Sequence, residues 1–151
     1  MSMFHGMNIS ASALTSQRLR MDVVSSNMAN AESTRGRLVD GEWEPYRRKM
    51  VTMQANQESG FRSHFNQALG MSKDVGQGVK VKNIIEDQTP FRQVFQPDHP
   101  DANEEGFVEL PNVDPLKEMI DLMGAQRSYE ANVTTLDAHK NMMLKALEIG
   151  R

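Results

Sequence analysis

DPLKEMIDLMGAQRSYEANVTTLDAHKNMMLKALEI, running from Asp114 to Ile149, is the stretch that decides the fold. Asp114 is placed to accept hydrogen bonds from the first free amides of a helix, and Pro115 opens that helix at the position where a missing N–H is not needed. Beyond it only Gly124 interrupts, and no Pro recurs. Met119, Leu122, Gln126, Tyr129, Val133, Leu136, Lys140, Met143 and Leu147 follow one another at spacings of three and four. That pattern is a coiled-coil seam with two polar lapses, Gln126 and Lys140. A helix of roughly 35 residues, at about 1.5 Å each, is some 50 Å long. A compact domain of this size does not need that length, so part of the helix is expected to project or to pack on another chain.

The other end carries a second helix. From Met3 to Met28 there is no Pro, and after Gly6 no Gly. Phe4, Met7, Ala11, Leu14, Met21, Val24, Met28 and Ala31 recur at spacings of three, four and seven, the mark of an amphipathic helix. It is expected to end near residue 31, where Asn30 can take a left-handed cap and Ser33-Thr34-Arg35-Gly36 supplies a turn.

Between the helices the periodicity becomes extended. Tyr46 to Met53, Val79-Lys80-Val81, Phe91 to Phe95 and Phe107 to Leu110 read as strands bounded by Pro90, Pro97, Pro100 and Pro111, and predict a small antiparallel sheet. Gly70, Gly76 and Gly78 among polar neighbours predict a loop, preceded by a short helix over Phe61 to Leu69. The expected fold is α+β, with an N-terminal axial helix in 1–35, a β-rich middle in 36–112 and a C-terminal axial helix in 113–151.

Bulk composition narrows the functions. With 151 residues the chain fits one domain with extensions, and its hydrophobic share of 38% is low for a globular core. A net charge of −3 with both signs interspersed disfavours nucleic acid and anionic membranes as partners. There is no Cys, which removes disulfides and thiolate chemistry. Arg18, Arg20 and Asp22 break the apolar positions of the first thirty residues, so no cleavable secretory signal is expected.

Catalysis needs converging groups, and His5, His64, His99 and His139 lie far apart, with no phosphate loop, dinucleotide fingerprint or nucleophile elbow nearby. No enzyme, cofactor or small-molecule substrate is expected. Asp101-Ala102-Asn103-Glu104-Glu105-Gly106 imitates the opening of a calcium loop, but Asn112 stands at the twelfth position and Pro97 and Pro100 deny it an entering helix. It reads as an acidic turn between two strands, with no metal. Arg47-Arg48-Lys49 reads as a charged strand edge that stays soluble and unpaired.

Two terminal motifs carry a resemblance. Ser25-Ser26-Asn27-Met28-Ala29-Asn30-Ala31-Glu32-Ser33-Thr34, together with Tyr129-Glu130-Ala131-Asn132 and the ending Leu144 to Arg151, resembles the paired terminal helices of bacterial flagellar axial proteins. Pro45-Tyr46-Arg47-Arg48, Pro90-Phe91-Arg92, Pro97 to Ala102 and Pro111-Asn112-Val113 resemble the proximal rod branch of that family, and the short middle differs from hook and distal-rod subunits. Met28 and Asp114-Pro115 depart from the usual pattern.

The resemblance implies a structural subunit exported by the flagellar type III apparatus without a cleaved leader. It would assemble with copies of itself and other rod subunits into a helical tube in the basal body, spanning the periplasm. The expected assembly interface is Met7, Leu14, Met21, Asn27, Met28 and Asn30 on the first helix, with Met119, Leu122, Tyr129, Val133, Leu136, Met143 and Leu147 on the second. The alternatives are a soluble helical-hairpin adaptor using the same seam and a calcium-dependent module using the acidic turn.

Overall fold

Asp114 acts as its position in the sequence predicts. Its Oδ1 accepts the Leu116 N–H at 3.0 Å and its carbonyl accepts the Glu118 N–H at 3.0 Å, closing the first turn behind Pro115. The protein was analysed as a computed structural model that describes residues 4–39, 41–56, 65, 68–69 and 77–149. The short helix expected over Phe61 to Leu69 and the loop over Gly70 to Gly76 lie largely outside these residues.

Among the described residues two helices flank six strands: α1 (His5–Ala29), β1 (Arg37–Val39), β2 (Glu42–Glu44), β3 (Lys49–Ala55), β4 (Val79–Glu86), β5 (Arg92–Phe95), β6 (Phe107–Leu110) and α2 (Pro115–Ile149). This is the α+β arrangement expected. The end of α1 differs in detail: Asn30 caps at φ −104°, outside the left-handed region, and its side-chain amide donates to the Ser26 carbonyl at 2.8 Å. That bond satisfies an orphan carbonyl without a left-handed residue.

The strands do not form the single sheet expected. They make three separate antiparallel pairs, β1–β2, β3–β4 and β5–β6. Of these, β3–β4 is the pair laid along α1, where Ser12 Oγ accepts the Val79 N–H at 3.1 Å. Its register shifts between Thr52 and Met53, an irregularity that increases twist. The β1–β2 hairpin is additional to the strands expected. Its signal was present in Asp40-Gly41 between Leu38-Val39 and Trp43, and Gly41 takes φ +93°, a conformation that other residues rarely adopt. The acidic segment does fall between two strands, β5 and β6, with Gly106 at φ +82° leading into β6.

The helices form an antiparallel hairpin. A Cβ on Gly6 would stand 2.8 Å from the His139 ring, while Asn27 hydrogen-bonds Glu118 near the opposite end. Among the described residues polar groups are buried as often as hydrophobic ones: Val23, Val24, Val108, Val113 and Ala125 are buried, and so are Ser10, Ser16, Asn27, Arg48 and Glu118. The seam of α2 also differs from the one its apolar spacing predicts. Glu118, Leu122, Ala125, Tyr129, Asn132, Leu136, His139 and Met143 are buried or half-buried. Met119, Gln126, Val133, Lys140 and Leu147 are exposed. Four of the nine expected seam positions are therefore kept, four are replaced by their preceding neighbours, and Leu147 lies outside the seam with no replacement.

Candidate assembly interface

Four parts of the chain meet at the closed end of the hairpin: the last turn of α1, the entry to β3, the segment after β4 and the first turns of α2. Asn27, 0% exposed, ties three of them together. Its Nδ2 donates to the Lys49 carbonyl at 2.8 Å and to Glu118 Oε2 at 2.9 Å. Its Oδ1 accepts the Lys49 N–H at 2.9 Å and the Tyr46 hydroxyl at 3.0 Å. Both amide hydrogens and both oxygen lone pairs are thus used, the full capacity of the side chain. A buried amide in this state carries no desolvation debt of an unpaired group.

Glu118 is also 0% exposed, and its charge is met by Arg48 Nε at 2.6 Å. Arg48 in turn reaches Asp87 at 3.5 Å and Asp121 at 3.4 Å, and Arg20 of α1 donates to the other oxygen of Asp121 at 3.1 Å. Burial alone would lower the pKa of Arg48, but Glu118 and Asp87 outweigh it and hold the guanidinium firmly charged. Asp87 is held below the ordinary carboxylate range first by the Thr89 amide, with the Thr89 hydroxyl and Arg48 adding to it. Asn112 completes the clamp: its Oδ1 accepts the Arg48 N–H at 2.8 Å and its Nδ2 donates to the Asp87 carbonyl at 3.1 Å.

Arg48 corrects the sequence reading of the basic run as a solvated strand edge. Only its neighbours behave as surface cations, Arg47 lying 4.4 Å over the Phe91 ring and Lys49 lying 5.6 Å from the Tyr46 ring centre. No local signal marks Arg48 as the inward member, because its partners come from 39 to 73 residues further along the chain. Glu118 was equally illegible. An acid in the first turn of a helix ordinarily needs no partner beyond the helix dipole.

The acidic turn has a structural role. Asp101 accepts the Thr34 hydroxyl and the Arg35 Nε, each at 2.8 Å, and so fastens the β5–β6 loop to the turn after α1. Arg35 and Thr34 hold the Asp101 carboxyl below its ordinary range. Asn103 Oδ1 accepts the Glu105 and Phe107 amides. Among the described residues, no group of three His, Asp or Glu side chains is placed to hold a metal ion, and no helix is long and apolar enough to cross a membrane.

The expected interface residues fall into three sets. Asn27 is enclosed within the subunit. Met7, Leu14, Met21 and Met28 of α1 and its cap Asn30 are half-buried, as are Leu122, Tyr129, Leu136 and Met143 on the seam of α2. Met119, Val133 and Leu147 face outward, Leu147 at 72% exposure. Sequence spacing missed Leu116, Ile120, Met123 and Ile149, which join them on the exposed surface of α2, Ile149 at 85%. Scattered apolar side chains on a surface are ordinary, but this many large ones on one helix, packed on α1 alone among the described elements, is not.

Comparison with known proteins places these features. Residues 7–36 match the profile of the family described as flagella basal body rod protein, and residues 104–149 match the flagellar basal body rod FlgEFG protein C-terminal profile. The chain is 58% identical over 151 residues to the flagellar basal-body rod protein FlgC of Bacillus subtilis, covering the whole of both chains. It is 42% identical, again over the whole of both chains, to FlgC of Escherichia coli. To FlgC of Borreliella burgdorferi it is 37% identical, with 99% of this chain and 98% of the relative covered.

Proposed function

This chain belongs to the FlgC family as a structural subunit of the flagellar basal-body rod, and from that premise we propose that it joins copies of itself and other rod subunits through the outward faces of its terminal helices, forming the proximal part of a helical tube. The observation that carries this reading is the exposed apolar surface of α2, with Leu116, Met119, Ile120, Met123, Leu147 and Ile149 all open to water. Removing such area from water stabilises association by roughly 25 cal/mol per Å². Contacts that join one face to a different face of the next copy produce open helical arrays when the rotation does not close.

The half-buried Met7, Leu14, Met21, Met28 and Asn30 would form the edges of these contacts. Asn27 acts from inside, through the position it imposes on α2. We assign no enzymatic activity, no nucleic-acid partner and no small-molecule substrate. The reading places the subunit across the periplasm, delivered by the flagellar export apparatus. Because Gly6 packs against His139, α1 belongs to the folded hairpin from its first turn. Cleavage of a leader within the first thirty residues would remove it, so the reading requires export without such cleavage.

Complementation of a deletion strain tests the proposal. The combined variant Met119→Glu, Val133→Glu and Leu147→Glu should keep the far-ultraviolet circular dichroism of the purified chain, yet fail to restore swimming and leave basal bodies without a completed rod. Normal swimming with all three charges in place would overturn it.

A further inference from the structure

We propose that Asn27, Arg48 and Glu118 set the rotational register of the helical hairpin, selecting one of two seams that α2 carries. The two seams share Leu122, Tyr129, Leu136 and Met143. One adds Glu118, Ala125, Asn132 and His139; the other adds Met119, Gln126, Val133, Lys140 and Leu147. Half of each set is displaced by one residue, so the faces differ by a turn of roughly 50°, half of the angular step between neighbouring helical residues. The folded chain uses the first seam.

Apolar content favours the seam that is not used. It would bring Met119, Val133 and Leu147 inward, where the occupied seam offers Ala125 as its sole additional hydrophobic side chain. Something other than hydrophobic burial therefore decides the register, and Glu118 is the position where the two seams diverge first. Its carboxylate is fully enclosed, bonded to Asn27 on α1 and to Arg48 at the entry to β3. Rotation of α2 toward the apolar seam would pull Glu118 away from both, depriving buried Arg48 of its nearest carboxylate and buried Asn27 of one of its four hydrogen bonds. Breaking a buried ion pair from one side is among the more costly defects a fold can carry. Buried polar groups that specify register rather than add stability are well attested in coiled coils.

The consequence reaches the surface. With Glu118 held inward, Met119 and Val133 are left outside, where hydrophobic burial within one chain would otherwise have taken them. The clamp thus determines which side chains remain for neighbours. The inference concerns folding of a single chain, and its test does not depend on which neighbours the outer face meets.

The chain has no Cys, so introduced pairs can report the register of the full-length protein. Gly6→Cys with His139→Cys reports the occupied seam, since a Cβ at Gly6 would meet the far ring atoms Cε1 and Nε2 of His139 at 2.8 Å and the two positions therefore face each other. Gly6→Cys with Lys140→Cys reports the rotated one. Disulfide geometry is demanding enough to separate them, and oxidation traps even a briefly closed hairpin. In the otherwise unchanged chain the 6/139 pair should close faster than the 6/140 pair.

Replacing the clamp with apolar side chains, Asn27→Leu, Arg48→Met and Glu118→Met together, should keep helical circular dichroism while abolishing or inverting that preference. Adding Met119→Gln, Val133→Gln and Leu147→Gln should restore it, because the competing seam is then gone. Absence of any preference in the unchanged chain would overturn the inference. Persistence of the 6/139 preference after clamp replacement would likewise overturn it. Loss of helical signal would make the clamp an ordinary stabilising element, and failure of the Gln substitutions to restore the preference would remove the competing seam.

Discussion

The two ends of the α1–α2 hairpin are built on opposite rules. At the closed end, Asn27, Arg48 and Glu118 are withdrawn from water and bonded to one another across three segments of chain. At the open end, Met142, Leu144, Leu147 and Ile149 follow His139 past the first turn of α1 and remain exposed. Polar groups share the interior with a few small apolar ones while large apolar groups stand outside, unlike an ordinary small domain. Directional bonds at the closed end give one geometry, whereas the open end carries only non-directional apolar surface, which on our proposal other subunits cover.

The comparison breaks most sharply at Glu118. Glu118→Ala should destabilise the purified chain by about 3–5 kcal/mol, because Arg48 and Asn27 lose a buried partner at once. Urea denaturation followed by circular dichroism measures this, and a loss below about 1 kcal/mol would show that the closed end tolerates water.

Acid gives an intermediate effect. The folded pKa of Asp87 lies below its ordinary value, so the unfolded chain binds more protons as the pH drops past about 4. Its stabilisation is present in full above that range and is lost as pH falls through the depressed value. Asp87→Asn should therefore lower stability at neutral pH and flatten the acid arm of the stability curve. Asp101, held down by Arg35 and Thr34 at the surface, should contribute in the same direction. An acid arm identical to that of the unchanged chain would dissociate Asp87 from the clamp.

The smallest expected effect sharpens the contrast from the other side. Leu147→Ala with Ile149→Ala should change the stability of the isolated chain by no more than about 0.5 kcal/mol, as exposed positions do. A thermal or urea midpoint shifted much further would mean that these side chains are already packed within the subunit.

How much was legible in one sequence depended on the range of the interactions involved. Asp114-Pro115 marked the start of α2 because a helix cap is formed by residues two and four apart. The spacing of Leu122, Tyr129, Leu136 and Met143 found the half of the seam that both registers share. Met119 and Val133 were assigned inward by the same spacing, and the structure turns them out. Spacing measures apolar content around a helix and is blind to a distant arginine. The three strand pairs show the same division: β3 to β6 were found and β1–β2 was not, and nothing local said that each strand would take a single partner.

The sequence by itself determined the two terminal helices, the extended character of the middle and, through Ser25 to Thr34 and the proline-bounded central segments, the family. These are properties of neighbours along the chain, set by local backbone preference, capping and periodicity. Only the tertiary structure decided that Arg48 is enclosed, that Glu118 faces inward and that Met119 is left exposed. Those outcomes depend on charges brought together from 70 residues apart, where the cost of leaving one of them buried and unpaired outweighs the gain from hiding a few more methylene groups.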